Sequence, residues 1–362
     1  MKPLAILTGG GDAPGLNAVI RAAVKTALLQ YQVPVLGVRN GLNGFIDANG
    51  VFPLDLEAVR GILPRGGTIL GAANRGNPFL REVIKDGHTT IEDQHQAIFD
   101  GIKALDLSGL LVVGGDGSLH IALELYRAGV PVIGVPKTID NDIGGTDFTF
   151  GFDTALNCAM EAIDRLHTTA EAHHRVMILE LMGRNAGFIA LHAGIAGGAD
   201  VILIPEIPFR FESICAKVRQ RIERGTRFSI IAVAEGAHPQ GQQPVYASRG
   251  DQVKQAHLGG IGQRVSDYLN QTCGIESRVI VLGHLQRGGS PSAFDRWLAT
   301  GFGSLAVRLA IEGHFGVMTA LRGDQIIPVP LVEALATPKR VDLQGESLAT
   351  ARRIGISLGD EE

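Results

Sequence analysis

The chain has 362 residues, 45% of them hydrophobic and 19% charged, with a formal net charge of −4. That balance allows a packed core, excludes general disorder and gives length enough for two domains. No Lys/Arg run suggests nucleic acid or an anionic membrane as a partner, and no apolar run approaches the length of a membrane span.

In chain order, MKPLAILT precedes GGGD, too short an apolar stretch for a signal peptide, and is expected to be a buried first strand. Further strands are predicted at Pro34–Val38, Gly109–Val113, Val132–Val135, Val176–Glu180, Val201–Ile204, Ser229–Ala234 and Val279–Leu282. These runs are apolar throughout rather than alternating, as in parallel strands covered on both faces. Helical spacing separates them at Gly15–Leu29, Ser118–Arg127 and Phe152–Leu166. The expected fold is therefore α/β with mostly parallel sheets, whose ligands sit beyond the carboxyl ends of the strands. The Gln/Gly-rich stretch from His238 to His257 is expected to be a surface loop, and the charged tail from Thr337 to fray. Cys158, Cys215 and Cys273 lack metal or disulfide spacing and are expected to be free thiols in a reducing cytosol.

The polar motifs fall at those strand ends. GGGDAPGLNA, residues 9–18, is a glycine turn entering a helix, a phosphate-attracting arrangement that matches neither GxGxxG nor GxxxxGK[ST]; it could equally be a tight turn with Asp12 as a cap. In GGDGS, residues 114–118, two glycines allow close backbone approach to phosphate, and Asp116 is placed to hold Mg²⁺. PKTIDND, residues 136–142, sets Asp140 and Asp142 around Asn141 beside Lys137 and Thr138; a hydroxyl nucleophile needs such a carboxylate, and Asp140 is the candidate base. Arg184 and Arg287 follow strands, and Arg175 and Arg278 precede them; together they would suit a sugar phosphate, with Glu235 and His284 for its hydroxyls. No HExxH or paired Cys/His spacing marks a transition-metal site.

Taken together, LTGGGDAPGLNA, GGDGS, PKTIDNDIGGTDFTFGFDTA, MGRNAGFIA, AEG and VLGHLQRGGSPSAFDR resemble the phosphofructokinase family, in order from Leu7 to Arg296. The resemblance implies two Rossmann-like domains: residues 1–151 with about 286–335 for the phosphoryl donor, and about 152–285 with 336–362 for the sugar phosphate. It implies a cytoplasmic glycolytic enzyme that phosphorylates the 1-hydroxyl of fructose 6-phosphate from ATP or pyrophosphate with Mg²⁺. Asp140 would be the base, Thr138 would orient the phosphoryl group and Lys137 would offset its charge. Gly11, Gly115, Asp116, Gly117 and Ser118 would cradle the donor, Asp116 holding the metal. The sugar phosphate would meet Thr138, Ile139, Asp140, Met182, Gly183, Arg184, Glu235, His284, Leu285, Gln286 and Arg287, with Arg175 and Arg278 supplied by a neighbouring subunit of a homotetramer.

Two positions bear on the donor. ATP-using members of the family carry Gly where this chain has Gly117, since a carboxylate there would meet the nucleotide's α-phosphate; pyrophosphate-using members carry Lys where this chain has Lys137. The clash is the stronger constraint, so ATP is expected and pyrophosphate is the alternative. In GGTILGAANRGNPF, residues 66–79, Asn74 stands where the family usually has Arg, so Arg75 and Gly76 are expected at the donor. Arg21, Lys25 and Asp200 partly match the family's effector site. Two other readings are a non-catalytic nucleotide or sugar-phosphate sensor, which need not keep a base, and an NAD-kinase-like enzyme, which shares GGDGS without PKTIDND.

Overall fold

The computed structural model describes residues 1–72, 79–85, 88–248 and 257–361. Its larger sheet runs, edge to edge, Gln325–Pro330, Val317–Arg322, Val132–Thr138, Gly109–Gly114, Leu4–Thr8, Val35–Val38 and Val51–Leu54. Neighbours are parallel except at the two edges, where Gln325–Pro330 and Val51–Leu54 turn back antiparallel. The smaller sheet, Val201–Leu203, Ser229–Ala234, Val176–Leu181 and Ser277–Val281, is parallel throughout.

Both faces of the larger sheet are covered, which accounts for its unbroken apolar strands. Leu4, Ile6, Leu111, Val113, Ile133 and Val135 point to one face, where helices Leu16–Thr26 and Ala293–Glu312 pack. Ala5, Leu7, Leu110, Val112 and Val132 point to the other, against Leu119, Ala122 and Leu125 of helix Asp116–Arg127. The two helices on the first face approach so closely that a Cβ on Gly303 would lie 2.6 Å from the Val19 carbonyl. The smaller sheet packs one face on helices Phe152–His173 and Phe188–Ala196, and the other on Phe211–Glu223 and Ile261–Gln271.

A polar knot joins a helix of each sheet. Fully buried Asp295 accepts from the Thr154 amide at 2.8 Å, so a side chain from one helix caps the start of the other. Ser292 caps its own helix by accepting from the Asp295 amide at 3.2 Å, and its amide donates to the Thr154 hydroxyl at 2.9 Å. Asp295→Ala removes the cap and leaves the Thr154 amide unpaired. It is expected to cost about 2 kcal/mol, read as a lower denaturant midpoint at unchanged slope.

Two sequence expectations are corrected here. The tail does not fray: Glu346–Arg353 is helical, Ser357 bridges to Val201, and Leu358 is fully buried. Its charges pair locally, Arg352 holding Asp360 at 3.1 and 2.6 Å, so they do not oppose docking. Cys215 and Cys273 are not free but joined as a disulfide, with Cα atoms 6.3 Å apart; Cys158 is the free thiol. Their separation of 58 residues carries no spacing signal, because the pairing follows from the packing of two helices on one sheet face. In the expected surface loop, His238–Gln240 is tied to Phe209, and Tyr246–Ser248 pairs with His257–Leu258. No helix among the described residues is long and apolar enough to cross a membrane.

Candidate active site

The parallel register aligns three polar loops at one sheet edge. Thr8 pairs with Val113 and Gly114 with Pro136, so Gly9–Gly11, Gly115–Ser118 and Lys137–Asp142 emerge side by side. Glycine leaves room where they touch. A Cβ on Gly9 would lie 2.6 Å from the Ser118 hydroxyl, and one on Gly11 would lie 3.2 Å from an Arg287 guanidinium nitrogen. Gly115 precedes helix Asp116–Arg127, whose first amides lack helical acceptors and can meet phosphate. Gly117 differs: among the described residues, nothing beyond its own helix and chain neighbours lies within 4 Å of a Cβ there. Asp116 is half-exposed at this helix start, 3.3 Å from His120 Nδ1.

The next loop is buried and charged. The Lys137 ammonium donates to the Gly11 carbonyl; burial and then Arg287 pull its pKa down to about 8, against Asp140, Asp12 and Asp142. The Asp140 amide donates to the Thr138 hydroxyl at 3.1 Å, and that hydroxyl lies 3.3 Å from Asp140 Oδ2. Asn141 takes a left-handed φ of 54°, and its side chain accepts from the Thr149 amide at 3.1 Å, which closes the loop. Oδ1 of Asp140 and Oδ1 of Asp142 are buried without a hydrogen-bond partner among the described residues. Burial raises the Asp140 pKa, opposed first by Arg287 and then by Arg184. Burial, then the charges of Asp140 and Asp116, push Asp142 up to about 7.

The smaller sheet supplies the facing rim. Strand Val176–Leu181 runs into Met182, Gly183 and Arg184, the last two at φ 144° and 51°. The Arg184 amide donates to Glu235 Oε1 at 3.0 Å. Burial pushes Glu235 up to about 7, with the charge of Asp140 adding to it. Fully buried Gln286 accepts from the Met182 amide at 2.9 Å, and Arg287 reaches back to the Asp12 carbonyl at 3.0 Å. Thus Asp116, Lys137, Thr138, Asp140, Arg184, Glu235, Gln286, Arg287 and the glycine loops share one cleft.

Other predicted site residues lie elsewhere. The Ile139 side chain is fully buried beside Ala13 and Phe152, so it belongs to the core. His284 and Leu285 are exposed in the helical turn Gly283–Arg287. Arg175 and Arg278 lie at the amino ends of their strands, on the far edge of the smaller sheet, and one chain does not bring them to this cleft. Both are held by Glu276 Oε1, each at 2.9 Å. Arg75 and Gly76 lie outside the described residues. Arg21 and Lys25 line a cavity of about 210 Å³ with Arg60, whereas Asp200 pairs with Arg221 in the smaller-sheet half. Sequence inspection passed over Lys339, whose amide donates to the Asp142 carbonyl at 2.9 Å; its distance in sequence from PKTIDND left no local signal.

Comparison with known proteins gives a consistent picture. A family model described as Phosphofructokinase matches residues 3–310. The chain is 51% identical over 359 residues to the ATP-dependent 6-phosphofructokinase of Chloroflexus aurantiacus, covering 99% of this chain and 98% of that protein. It is 50% identical over 339 residues to the pyrophosphate–fructose 6-phosphate 1-phosphotransferase of Streptomyces coelicolor, covering 93% and 95%. The solved phosphofructokinase of Saccharomyces cerevisiae superposes with a TM-score of 0.76 at 30% identity over 99% of this chain; the match spans 47% of the yeast chain.

Proposed function

The chain belongs to the phosphofructokinase family and is a phosphotransferase, and from that premise we propose that it is an ATP-dependent 6-phosphofructokinase. It transfers the terminal phosphoryl group of ATP to the 1-hydroxyl of fructose 6-phosphate, as a cytoplasmic enzyme of glycolysis. The observation that carries this reading is Asp140 Oδ1, without a hydrogen-bond partner among the described residues and buried between the glycine loops and the Arg184–Glu235 rim.

Asp140 takes the proton of the attacking hydroxyl at Oδ1 while Thr138 steadies Oδ2. Lys137, Arg184 and Arg287 offset the charge of the phosphoryl group as it crosses in a single direct displacement. Glu235 and Arg184 hold the sugar phosphate. In this reading the larger sheet forms the donor domain and the smaller sheet the sugar domain. Arg75 and Gly76 line the donor site in the same proposal.

Mg²⁺ fits the residues present. Among the described residues no three His, Cys, Asp or Glu side chains form a metal cage. Half-exposed Asp116 beside open space suits a cation that keeps most of its waters and leans on phosphate oxygens. Bound there, Mg²⁺ would screen the phosphate charge.

The far placement of Arg175 and Arg278 supports a homo-oligomer, a tetramer in this proposal, in which a neighbour's two arginines meet the sugar phosphate. A pyrophosphate donor is the second reading, favoured by Lys137 at the Gly11 carbonyl. The deciding experiment measures fructose 1,6-bisphosphate formed by the purified protein with Mg²⁺ and either donor. Product with ATP is expected; product with pyrophosphate alone would overturn the donor assignment.

A further inference from the structure

The segment Lys339–Val341 touches both rims of the cleft. On the larger-sheet side, the Lys339 amide donates to the Asp142 carbonyl at 2.9 Å. Its ammonium donates to the Thr146 and Asp147 carbonyls at 3.2 and 2.5 Å and lies 5.8 Å from the Phe148 ring centre. On the smaller-sheet side, the same ammonium lies 5.3 Å from the Phe188 ring centre. Arg340 donates to the Asn185 carbonyl at 2.8 Å. The Val341 amide donates to Glu206 at 3.0 Å, and Glu206 also accepts from the Gly187 amide at 3.1 Å. One end of this segment therefore holds the loop two residues beyond Asp140, and the other holds the turn one residue beyond Arg184.

An ammonium suits the junction. Its donors satisfy two carbonyls while its charge faces two aromatic rings, one from each side. The chain also passes close over the loop: a Cβ on Gly144 would lie 2.8 Å from the Thr337 carbonyl. We propose that Lys339–Val341 is a strap that fixes the register between Asp140 and Arg184, with Lys339 as its positioning residue. The inference rests on the phosphofructokinase reading, which makes Asp140 the base and Arg184 a phosphate-binding group.

A strap of this kind acts on the transition state. Each rim keeps its own substrate contacts when the strap is cut, but the two lose their common alignment, and errors near 1 Å are costly to turnover. Lys339→Met keeps the stem and removes the donors. Its kcat is expected to fall about tenfold, with KM for fructose 6-phosphate and ATP within about twofold of the parent. Lys339→Arg should recover most of the loss. Arg340→Ala should lower kcat in the same way, and the double variant should be little worse than the poorer single one, because the residues act as one unit.

Unchanged kcat in both Lys339→Met and Arg340→Ala would overturn the strap, as would additive losses. Should Lys339→Met fail to fold, Arg340→Ala carries the same test, and its unchanged kcat then overturns the strap. Asp140→Ser is assayed alongside: if it stays active, the base assignment falls, whereas an inactive Asp140→Ser beside fully active Lys339→Met and Arg340→Ala refutes the strap alone.

Discussion

Asp140→Ser is expected to lower kcat about 10³-fold, within the range for removal of a positioned general base, while KM for fructose 6-phosphate changes less than about threefold. The loop should survive the change. Its closure comes from Asn141 and Thr149, and the Asp140 amide donates to Thr138 whatever side chain position 140 carries. Serine also relieves a buried carboxylate whose Oδ1 has no hydrogen-bond partner among the described residues. Steady-state kinetics with both substrates provides the check; equal losses in kcat and sugar affinity would make Asp140 a structural residue.

The same electrostatics set a pH dependence. The Asp140 pKa is raised, and Asp142 stands at about 7, both through burial first. The base must be ionised, so kcat/KM should fall on the acid side at a higher pH than an ordinary carboxylate would give. Stability without ligand should move the other way. Between pH ~4 and 7 the native state keeps protons that unfolded Asp residues have released, so stability falls as pH rises through this window. Thermal melts of the ligand-free protein at pH 5.5 and 7.5 test the sign.

Gly117→Asp is expected to lower kcat/KM for ATP by at least about 100-fold, equivalent to some 2.7 kcal/mol, while leaving the protein as stable or more so. The fold itself does not ask for glycine here. Gly117 is the second residue of helix Asp116–Arg127, does not have a positive φ, and among the described residues would bring a Cβ within 4 Å of nothing beyond its own helix and chain neighbours. Glycine in a helix costs up to about 1 kcal/mol relative to alanine, and a carboxylate near a helix N-terminus is favourable. A residue that costs the helix something and relieves no contact with the described residues points to a need on the ligand side. With ATP, that need is room for the α-phosphate. Kinetics with both donors, paired with a thermal melt, decides: unchanged ATP activity would show that the open space is not where the nucleotide lies.

Much of the cleft was legible because parallel strands place their polar residues at carboxyl ends. LLVVGG and VIGVPKT pass from unbroken apolar runs to polar loops within one residue or two, and register then puts the loops together. The predicted strands from Leu4 to Leu282 all occur, with end shifts of one to three residues in several. What escaped notice is held by partners distant in sequence. Lys339 belongs to the cleft through Asp142, nearly two hundred positions earlier, and nothing in TPKRVDL announces it. Asp295 looks like an ordinary charge in a helix start until Thr154 is seen against it. The antiparallel pair Val317–Arg322 and Gln325–Pro330 did leave a signal, the two-residue Gly323–Asp324 connection, which matches hairpin turn chemistry. Arg175 and Arg278 show the limit of strand-end reasoning: they lie at the amino ends of their strands, and their proposed role requires a second copy of the chain.

The order of strands in the larger sheet also bears on how the protein is made. Val132–Thr138 pairs on one side with Gly109–Gly114, available early, and on the other with Val317–Arg322, which is synthesised almost at the end. During translation the strand leading to Asp140 therefore waits at an open edge while nearly half of the polypeptide is made. An open edge is a template for pairing with another nascent chain. Products truncated before residue 317 should accordingly associate with one another, and completion of the late hairpin is the step that makes the catalytic strand safe.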